Sequence, residues 1–187
     1  EDYAIVHVEA EVMNDYEDDK HVEFIADILD QEGKIVLTLT SENKIAAGEK
    51  YIFKTKGKLL QPHRWSPDYP YVYAVRTTIK TEGRIVDSVD TPLGIRTFEF
   101  TNTQGFFING RNIKLKGWGQ RPTNEWAGLG AAYPNWMQAF VLQLMKEGGG
   151  NFIRWGHCAG APVHIDAADR YGLITIQPGV DGEGSTV

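Results

Sequence analysis

The 187-residue chain is long enough for one large or two modest domains, and its 42% hydrophobic and 24% charged residues are typical of globular proteins. Its formal net charge of −6 at pH 7 argues against nucleic acid or an anionic membrane surface as the main partner, because both need clustered Lys and Arg. A neutral ligand is therefore favoured. No apolar run approaches the roughly 20 residues of a membrane span.

The first hundred residues alternate short apolar segments with turns, as in an all-β domain. The first segment places Ala4, Val6, Val8, Ala10 and Val12 on one face, with the period of a half-buried strand. Further strands are predicted at 21–29, 34–40, 51–55, 71–81, 84–90 and 94–100, the first two of these as a hairpin. About seven strands in about a hundred residues predict an immunoglobulin-like β-sandwich domain over residues 1–100.

A proline-rich stretch, Pro62–Pro70, interrupts these strands, because its three prolines prevent regular pairing. Trp65 and Tyr69 within it have two interpretations: a platform for stacking on sugar, or a structural corner of the sandwich. The structural interpretation is favoured, since aromatic residues flanked by prolines usually fill gaps at the ends of sheets.

A hairpin and a helix are predicted in the next part of the chain. Asn109-Gly110 between two apolar runs predicts a type I′ turn. Trp118 follows this hairpin, and the sequence does not choose between stacking on a sugar and buried packing. Residues 135–147 predict a helix with Asn135 as its N-cap and one apolar stripe facing the core. The stripe consists of Trp136, Phe140, Val141, Leu144 and Met145.

A strand, a helix and a second strand are predicted after the glycines that end this helix. They span 151–155, 163–171 and 173–176, with Pro162 before the helix and Gly172 after it. This order predicts a parallel crossover. Polar residues at the carboxyl end of such strands face the ligand side, and Arg154, His157 and Gln177 lie at those ends.

Two other sites near this edge are weighed and set aside. Cys158, the only cysteine, excludes a disulfide framework or thiolate cluster within the sequence, and its side chain would point away from that of His157 on an extended strand. Asp181 and Glu183 lie in a Gly-rich tail, where two solvated carboxylates make a poor cation site. The sequence therefore predicts no metal and no cofactor.

Three stretches resemble one known family. Asn151-x-Ile153-Arg154-x-x-His157, followed by a helix ending in Asp169-Arg170-Tyr171-Gly172, resembles the first signature of glycoside hydrolase family 2, the β-galactosidase and β-glucuronidase family. Trp65–Tyr73 and Leu93–Phe100 are similar to the crossover and the exit of its sandwich domain. The chain departs from the family at Trp155-Gly156 and Cys158-Ala159, where the expected sugar pocket is lined.

The resemblance implies hydrolysis of a β-linked sugar with retention, by one glutamate as acid/base and another as nucleophile about 5 Å apart. It places both glutamates beyond Val187, so no catalytic residue is expected in this sequence. Arg154 would hold the nucleophile carboxylate and His157 would bond a sugar hydroxyl, with Trp118 and Gln177 as further substrate-side residues.

The resemblance also implies that residues 101–187 begin a (β/α)8 barrel domain, which when complete takes about 250 residues. The chain is then expected to be a fragment of a larger glycosidase with carbohydrate as its partner. The alternative is a non-catalytic sandwich that binds carbohydrate or protein and carries an α/β appendage. Without the resemblance, Arg154 would be interpreted as pairing with a neighbouring carboxylate for structure alone.

Overall fold

The computed structural model describes residues 2–120, 128–129, 132–156 and 159–178. The strands are β1 (Tyr3–Met13), β2 (Lys20–Leu29), β3 (Ile35–Ile45), β4 (Lys50–Leu60), β5 (Tyr73–Thr81), β6 (Arg84–Leu93), β7 (Phe98–Thr101), β8 (Gly105–Ile108), β9 (Arg111–Asn112), β10 (Gly117–Gln120), β11 (Phe152–Trp155) and β12 (Ile174–Ile176). The helices are α1 (Asn135–Glu147) and α2 (Pro162–Tyr171). Neither helix is long and apolar enough to cross a membrane, within the described ranges.

The chain packs into two compact units. The first contains the residues up to His63 together with Val72–Ile95, and the second contains Arg64–Tyr71 together with the residues from Arg96 onward. Arg64–Tyr71 therefore belongs to the second unit, although the residues before it and those after it as far as Ile95 belong to the first.

The first unit is a β-sandwich. Its two antiparallel sheets have the strand orders β1-β4 and β3-β2-β5-β6. Phe24 of β2 stacks on Phe53 of β4 with ring centroids 5.1 Å apart, and both side chains are fully buried, so the sheets pack face to face. On β1 the burial alternates as predicted, with Val6 the most deeply buried of the inward residues. The prediction of an antiparallel β-rich domain is confirmed.

The local turns of the sandwich follow the sequence closely. The predicted hairpin between β2 and β3 is confirmed, and its turn closes where Gly33, with φ of 80°, donates its N–H to the Asp30 carbonyl. The strand predicted at 51–55 is longer than expected, because β1 pairs with β4 along its whole length, from Tyr3 opposite Leu60 to Met13 opposite Lys50.

The prediction that residues 94–100 form the seventh strand of the sandwich is wrong. β7 instead pairs with β8 in the three-stranded sheet β7-β8-β9 of the second unit, so the described sandwich has six strands. The predicted type I′ hairpin accounts for this. Asn109 and Gly110 have φ of 50° and 76°, and Asn109 exchanges hydrogen bonds with Thr97 through its N–H and its side-chain oxygen.

The prediction that the proline-rich segment forms a corner of the sandwich is also wrong. Arg64–Tyr71 packs in the second unit. Trp65 is 1% exposed, which excludes it as a sugar platform. Its indole Nε1 donates to the Asp169 carbonyl at 2.7 Å, and the Arg96 guanidinium lies 4.7 Å from the centroid of its ring. Lys146 donates to the Pro67 carbonyl at 2.6 Å. The structural interpretation of Trp65 is thus confirmed, but its partners Asp169 and Arg96 belong to the second unit and not to the sandwich.

The rest of the second unit contains an α/β element in which β10, β11 and β12 form a parallel sheet in that order. α1 connects β10 to β11 and α2 connects β11 to β12, which confirms the predicted parallel crossover. Gly172 ends α2 in the left-handed conformation, with φ of 76°. The buried core consists of Leu142, Met145, Ile153, Trp155, Ala167, Ala168 and Leu173.

The apolar stripe predicted on α1 is mostly wrong. Three of its five residues, Trp136, Phe140 and Leu144, are exposed, whereas Met137, Leu142 and Met145 are buried. α1 is apolar on two adjacent faces, so helical periodicity alone does not decide which face is buried. The predicted N-cap is also wrong, because the cap position is Pro134, without a side-chain hydrogen bond, and Asn135 is the first helical residue.

Candidate functional site

Arg154 lies near the carboxyl end of β11, on the face of the parallel sheet that the helices do not cover. Ile153 and Trp155, its neighbours in sequence, are buried in the core with α1 and α2. Because side chains alternate along a strand, Arg154 points to the opposite face. The register sets it between Gly119 of β10 and Ile176 of β12, and its side chain is half-buried.

Gly156 lies beside the guanidinium of Arg154. A Cβ atom on Gly156 would lie 2.7 Å from Arg154 Nη1, so the side chain lies against the backbone of Gly156. Gly119 is the residue of β10 that is paired with Arg154, and it has no side chain to lie beside that of Arg154. The Gly156 N–H donates to the Gln120 carbonyl at 3.0 Å and so continues the pairing of β10 with β11. These contacts place a permanent positive charge at the carboxyl edge of the sheet.

Trp118 lies on the other face of the sheet from Arg154. It is paired with Ile153, whose side chain faces the helices. Its Cη2 atom lies 3.5 Å from the position of a Cβ atom on Gly150 and 4.0 Å from that on Gly148. The indole therefore packs over the glycine turn that ends α1, with 45% of the residue exposed. This placement favours packing over stacking on a sugar, and the structure does not bring Trp118 together with Arg154.

Gln177 connects the ends of two neighbouring strands. It follows β12, and its Oε1 accepts a hydrogen bond from the N–H of Gly160 at 2.9 Å, in the loop after β11. Its side chain thereby joins Gly160, in the segment between β11 and α2, to the end of β12. His157 and Cys158 of that segment lie outside the described residues, as do Asp181 and Glu183. The role predicted for His157 stays a prediction.

A buried histidine behind this loop was missed by the sequence analysis. His164 is 8% exposed, its ring centroid lies 4.6 Å from that of Trp155, and its Nδ1 accepts the N–H of Ala161 at 3.0 Å. Burial lowers the pKa of His164. The bond to Nδ1 assigns the proton of the neutral ring to Nε2. No sequence signal identified this residue, because a single polar residue in the first turn of a helix is usually exposed.

The ring of Trp155, which contacts that of His164, also contacts the loop before α2. A Cβ atom on Gly160 would lie 2.9 Å from the indole of Trp155, so the loop backbone is in contact with that ring. Among the described residues, no group of three or more His, Cys, Asp or Glu side chains could hold a metal ion. The described geometry therefore offers a fixed cation at a strand end, which suits the binding and orientation of an anionic group, such as a carboxylate.

The sequence matches a family model and several curated proteins. Residues 1–96 match the model described as glycosyl hydrolases family 2. A β-glucuronidase of Formosa agariphila is 45% identical over 96% of this chain and 18% of its own length. A β-galactosidase of Bacteroides ovatus is 31% identical over 97% of this chain and 21% of its own length. The chain thus spans about a fifth of the length of these relatives.

Solved structures are also similar to this chain. A β-glucuronidase from glycoside hydrolase family 2 superposes with a TM-score of 0.94 at 44% identity, over 99% of this chain and 19% of that protein. A β-glucuronidase of Bacteroides uniformis superposes with a TM-score of 0.87 at 29% identity, over 92% of this chain and 21% of that protein. The similarity includes both units, because each superposition covers more than nine-tenths of the chain.

Proposed function

This chain belongs to the glycosyl hydrolases family 2, and from that membership we propose that it is part of a longer glycosidase that hydrolyses β-linked sugars with retention. The observation that carries the proposal is the position of Arg154: a half-buried guanidinium at the carboxyl end of a parallel strand, on the face away from the helices. Ligand sites of parallel α/β folds lie at that edge of the sheet.

In structural terms, we propose that the sandwich is an immunoglobulin-like domain within residues 1–100. The parallel strands β10, β11 and β12 would be the first three of an eight-stranded barrel that begins within residues 101–187. Support comes from the strand-helix-strand order and from the open face that carries Arg154. The segment Arg64–Tyr71 would belong structurally to the barrel side, since it packs in the second unit.

The proposed mechanism assigns Arg154 a supporting role. Its guanidinium would bind the carboxylate of a nucleophilic glutamate, hold that carboxylate ionised and orient it toward the anomeric carbon. A second glutamate would protonate the leaving oxygen and then activate water. The family resemblance places both glutamates on later strands of the barrel. His157 would bond a sugar hydroxyl, and Gln177 would hold Gly160 in place through its hydrogen bond.

The names of the relatives guide the choice of substrate. The more similar of the two curated relatives described above is named a β-glucuronidase, and the other is named a β-galactosidase. We therefore propose a β-glucuronide as the first substrate to test and a β-galactoside as the second.

The test measures turnover of 4-nitrophenyl β-D-glucuronide and β-D-galactoside by the longer natural protein and its variants. Arg154→Ala should lower kcat/KM about a hundredfold or more, the range seen when one preorganised donor is removed from a site, with little change in melting temperature. The matched control is Arg170→Ala, an exposed arginine in the last turn of α2, which should leave kcat/KM unchanged. If Arg154→Ala unfolds the protein and activity only follows the folded fraction, Arg154 has a structural role instead.

A further inference from the structure

The ring of His164 bonds the backbone at the amino end of α2. Ala161 is the residue before the helix, Pro162 is its first residue and His164 is its third. The Nδ1 atom of His164 accepts the N–H of Ala161 at 3.0 Å, and the N–H of His164 donates to the Ala161 carbonyl at 2.9 Å. A glutamate or glutamine usually accepts the first of these bonds, through a side-chain oxygen. A histidine does so only while its Nδ1 carries no proton.

Two neighbouring contacts join the same backbone to the ends of β11 and β12. A Cβ atom on Gly160 would lie 2.9 Å from the indole of Trp155, the last residue of β11, so the two are in contact. The N–H of Gly160 donates to Gln177 Oε1 at 2.9 Å, just after β12. Gly160 and Ala161 are therefore fixed by three side chains. Only that of His164 changes its charge between about pH 5 and about pH 8.

The ring of Trp155 holds that of His164 without a hydrogen bond. The two ring centroids lie 4.6 Å apart at an interplanar angle of 37°, and Trp155 is 2% exposed. The Nε1 atom of Trp155 is buried and has no hydrogen-bond partner among the described residues. Trp155 thus keeps the imidazole in place by contact between the rings, and the bond to Ala161 depends on Nδ1 alone.

No charged side chain of the described elements around His164 favours a proton on its ring. The charged residues of these elements are Arg154 of β11, Lys146 and Glu147 of α1, and Asp166, Asp169 and Arg170 of α2, while β10 and β12 contain none. Arg154 points to the opposite face of the sheet, and Lys146 bonds the Gly172 carbonyl at 3.4 Å, at the far end of α2. The residues of α2 that share a face with His164, three and four positions later, are buried alanines. Burial accordingly lowers the pKa of His164, and the amino end of a helix also opposes a positive charge.

We propose that the bond between Ala161 and His164 is a proton-controlled latch: the neutral ring fixes Gly160 and Ala161 beside the ends of β11 and β12, and proton uptake by Nδ1 releases them. The proton comes from water and takes the lone pair that accepted the Ala161 N–H. Turning the ring over does not restore the bond, because Cδ2 then takes the place of Nδ1. The imidazolium offers no acceptor in either orientation, so the N–H of Ala161 bonds water instead.

The latch opens as the pH falls. In the closed state burial keeps the pKa of His164 below the value of about 6.5 that an exposed imidazole has, so the open state binds the proton more readily. The latch is therefore closed above about pH 6.5, and its closure is lost as the pH falls through the lowered pKa. The proposal rests on contacts within the α/β element and stands whether or not the glycosidase activity is found.

Hydrogen exchange of single amides in the longer natural protein, measured by mass spectrometry with fragmentation, tests the latch between about pH 7.5 and about pH 4.5. Exchange at the imidazole C2 position gives the pKa of His164 in the same samples. The protection of the Ala161 amide, corrected for the intrinsic rate, should fall at least about threefold, beginning near pH 6.5 and ending at that pKa. The Leu173 amide, which donates to the Ala168 carbonyl at the end of α2, is the reference and should keep its protection.

Two replacements separate the titration from the fold. His164→Gln keeps an acceptor that does not titrate, so Ala161 should stay protected at every pH tested. His164→Leu has no acceptor, so Ala161 should be at least about threefold less protected than in the natural protein at about pH 7.5. His21→Gln is the matched control, because the side chain of His21 on β2 is 61% exposed, and this variant should behave as the natural protein does.

Three results would overturn the proposal. Constant protection of Ala161 while His164 titrates would mean that the bond does not depend on the proton. A pKa of His164 so low that Leu173 loses its protection first would mean that the latch does not open in the folded protein. The same loss of protection in His164→Gln would identify another group as its cause. If His164→Leu loses protection at Leu173 as well, α2 has unfolded, and the comparison with His164→Gln decides.

The latch has one consequence that rests on the proposed function. The KM for 4-nitrophenyl β-D-glucuronide should rise below about pH 6.5 more in the natural protein than in His164→Gln, because Gly160 and Ala161 lie at the ligand edge of the sheet. A protein that hydrolyses no glycoside but shows the expected exchange at Ala161 would refute the proposed function and leave the latch in place.

Discussion

Replacing Trp65 should unfold the second unit and leave the sandwich intact, although the residue lies between two strands of the sandwich in sequence. Trp65 is 1% exposed, and its indole donates to the carbonyl of Asp169 in α2. Truncating a buried aromatic residue to alanine costs about 3–5 kcal/mol, and the unpaired carbonyl adds about 1 kcal/mol. The sum of roughly 4–6 kcal/mol is a large part of the 5–15 kcal/mol typical of a domain.

The assay is hydrogen exchange followed by mass spectrometry on Trp65→Ala. We expect protection to fall in peptides from β11 and α2 and to stay unchanged in peptides from β2 and β5. Trp136→Ala is the matched control, because Trp136 is 66% exposed on α1 and its replacement should change stability by no more than about 0.5 kcal/mol. Loss of protection in β2 and β5 instead would refute the assignment of Arg64–Tyr71 to the second unit.

Three further predictions concern the second unit and the whole chain. Gly172→Ala should destabilise the protein by roughly 1–3 kcal/mol in urea unfolding, because Gly172 has φ of 76° and an added Cβ would meet the Pro67 carbonyl. Gly149→Ala is the control and should destabilise the protein less, because Gly149 has φ of 84° but an added Cβ would lie in open space. Equal losses of stability in the two variants would contradict the contact with Pro67. Burial holds the pKa of His164 below the unfolded value of about 6.5, so the unfolded state binds the proton more readily; its contribution to stability is present above about pH 6.5 and lost as the pH falls. His164→Gln should therefore flatten the decline of the unfolding free energy on the acid side, and an unchanged pH profile would show that other groups cause it. Residues 1–187 alone should not hydrolyse 4-nitrophenyl β-glycosides above the buffer rate, since the family resemblance places both glutamates on later strands; turnover abolished by Glu183→Gln would contradict this.

The elements that the sequence predicted well are set by local chemistry. Alternating apolar residues define the inward face of β1, and Asn109-Gly110 form the turn that accepts positive φ at both positions. Pro162 and Gly172 mark the two ends of α2. In each case a few neighbouring residues contain the whole cause, so no knowledge of distant parts of the chain is needed.

The misplaced elements depend on partners far away in sequence. β7 has the pattern of a sandwich strand, but its pairing with β8 and the hydrogen bonds between Asn109 and Thr97 draw it into another sheet. Trp65 was recognised as structural, yet its acceptor lies 104 residues later in α2. Nothing in the residues near Trp65 identifies that acceptor.

The candidate site also contains residues that local sequence predicted and residues whose placement depends on distant partners. Arg154 was predicted from its position at a strand end, and the register with Gly119 agrees with that position. The role of Trp118 was left open because the sequence does not show which face of the sheet the residue occupies. In the structure, its pairing with Ile153 places it on the side of the helices. His164 was missed because its burial depends on the ring of Trp155.

The central claim, that this chain is part of a retaining glycosidase, is tested most directly by the stereochemistry of the first product. Proton NMR would follow the anomeric signal while the longer natural protein hydrolyses 4-nitrophenyl β-D-glucuronide, and then the β-D-galactoside. Retention predicts that the β-anomer forms first and that the α-anomer appears later through mutarotation. If the α-anomer forms first, or if neither glycoside is hydrolysed, the account is contradicted.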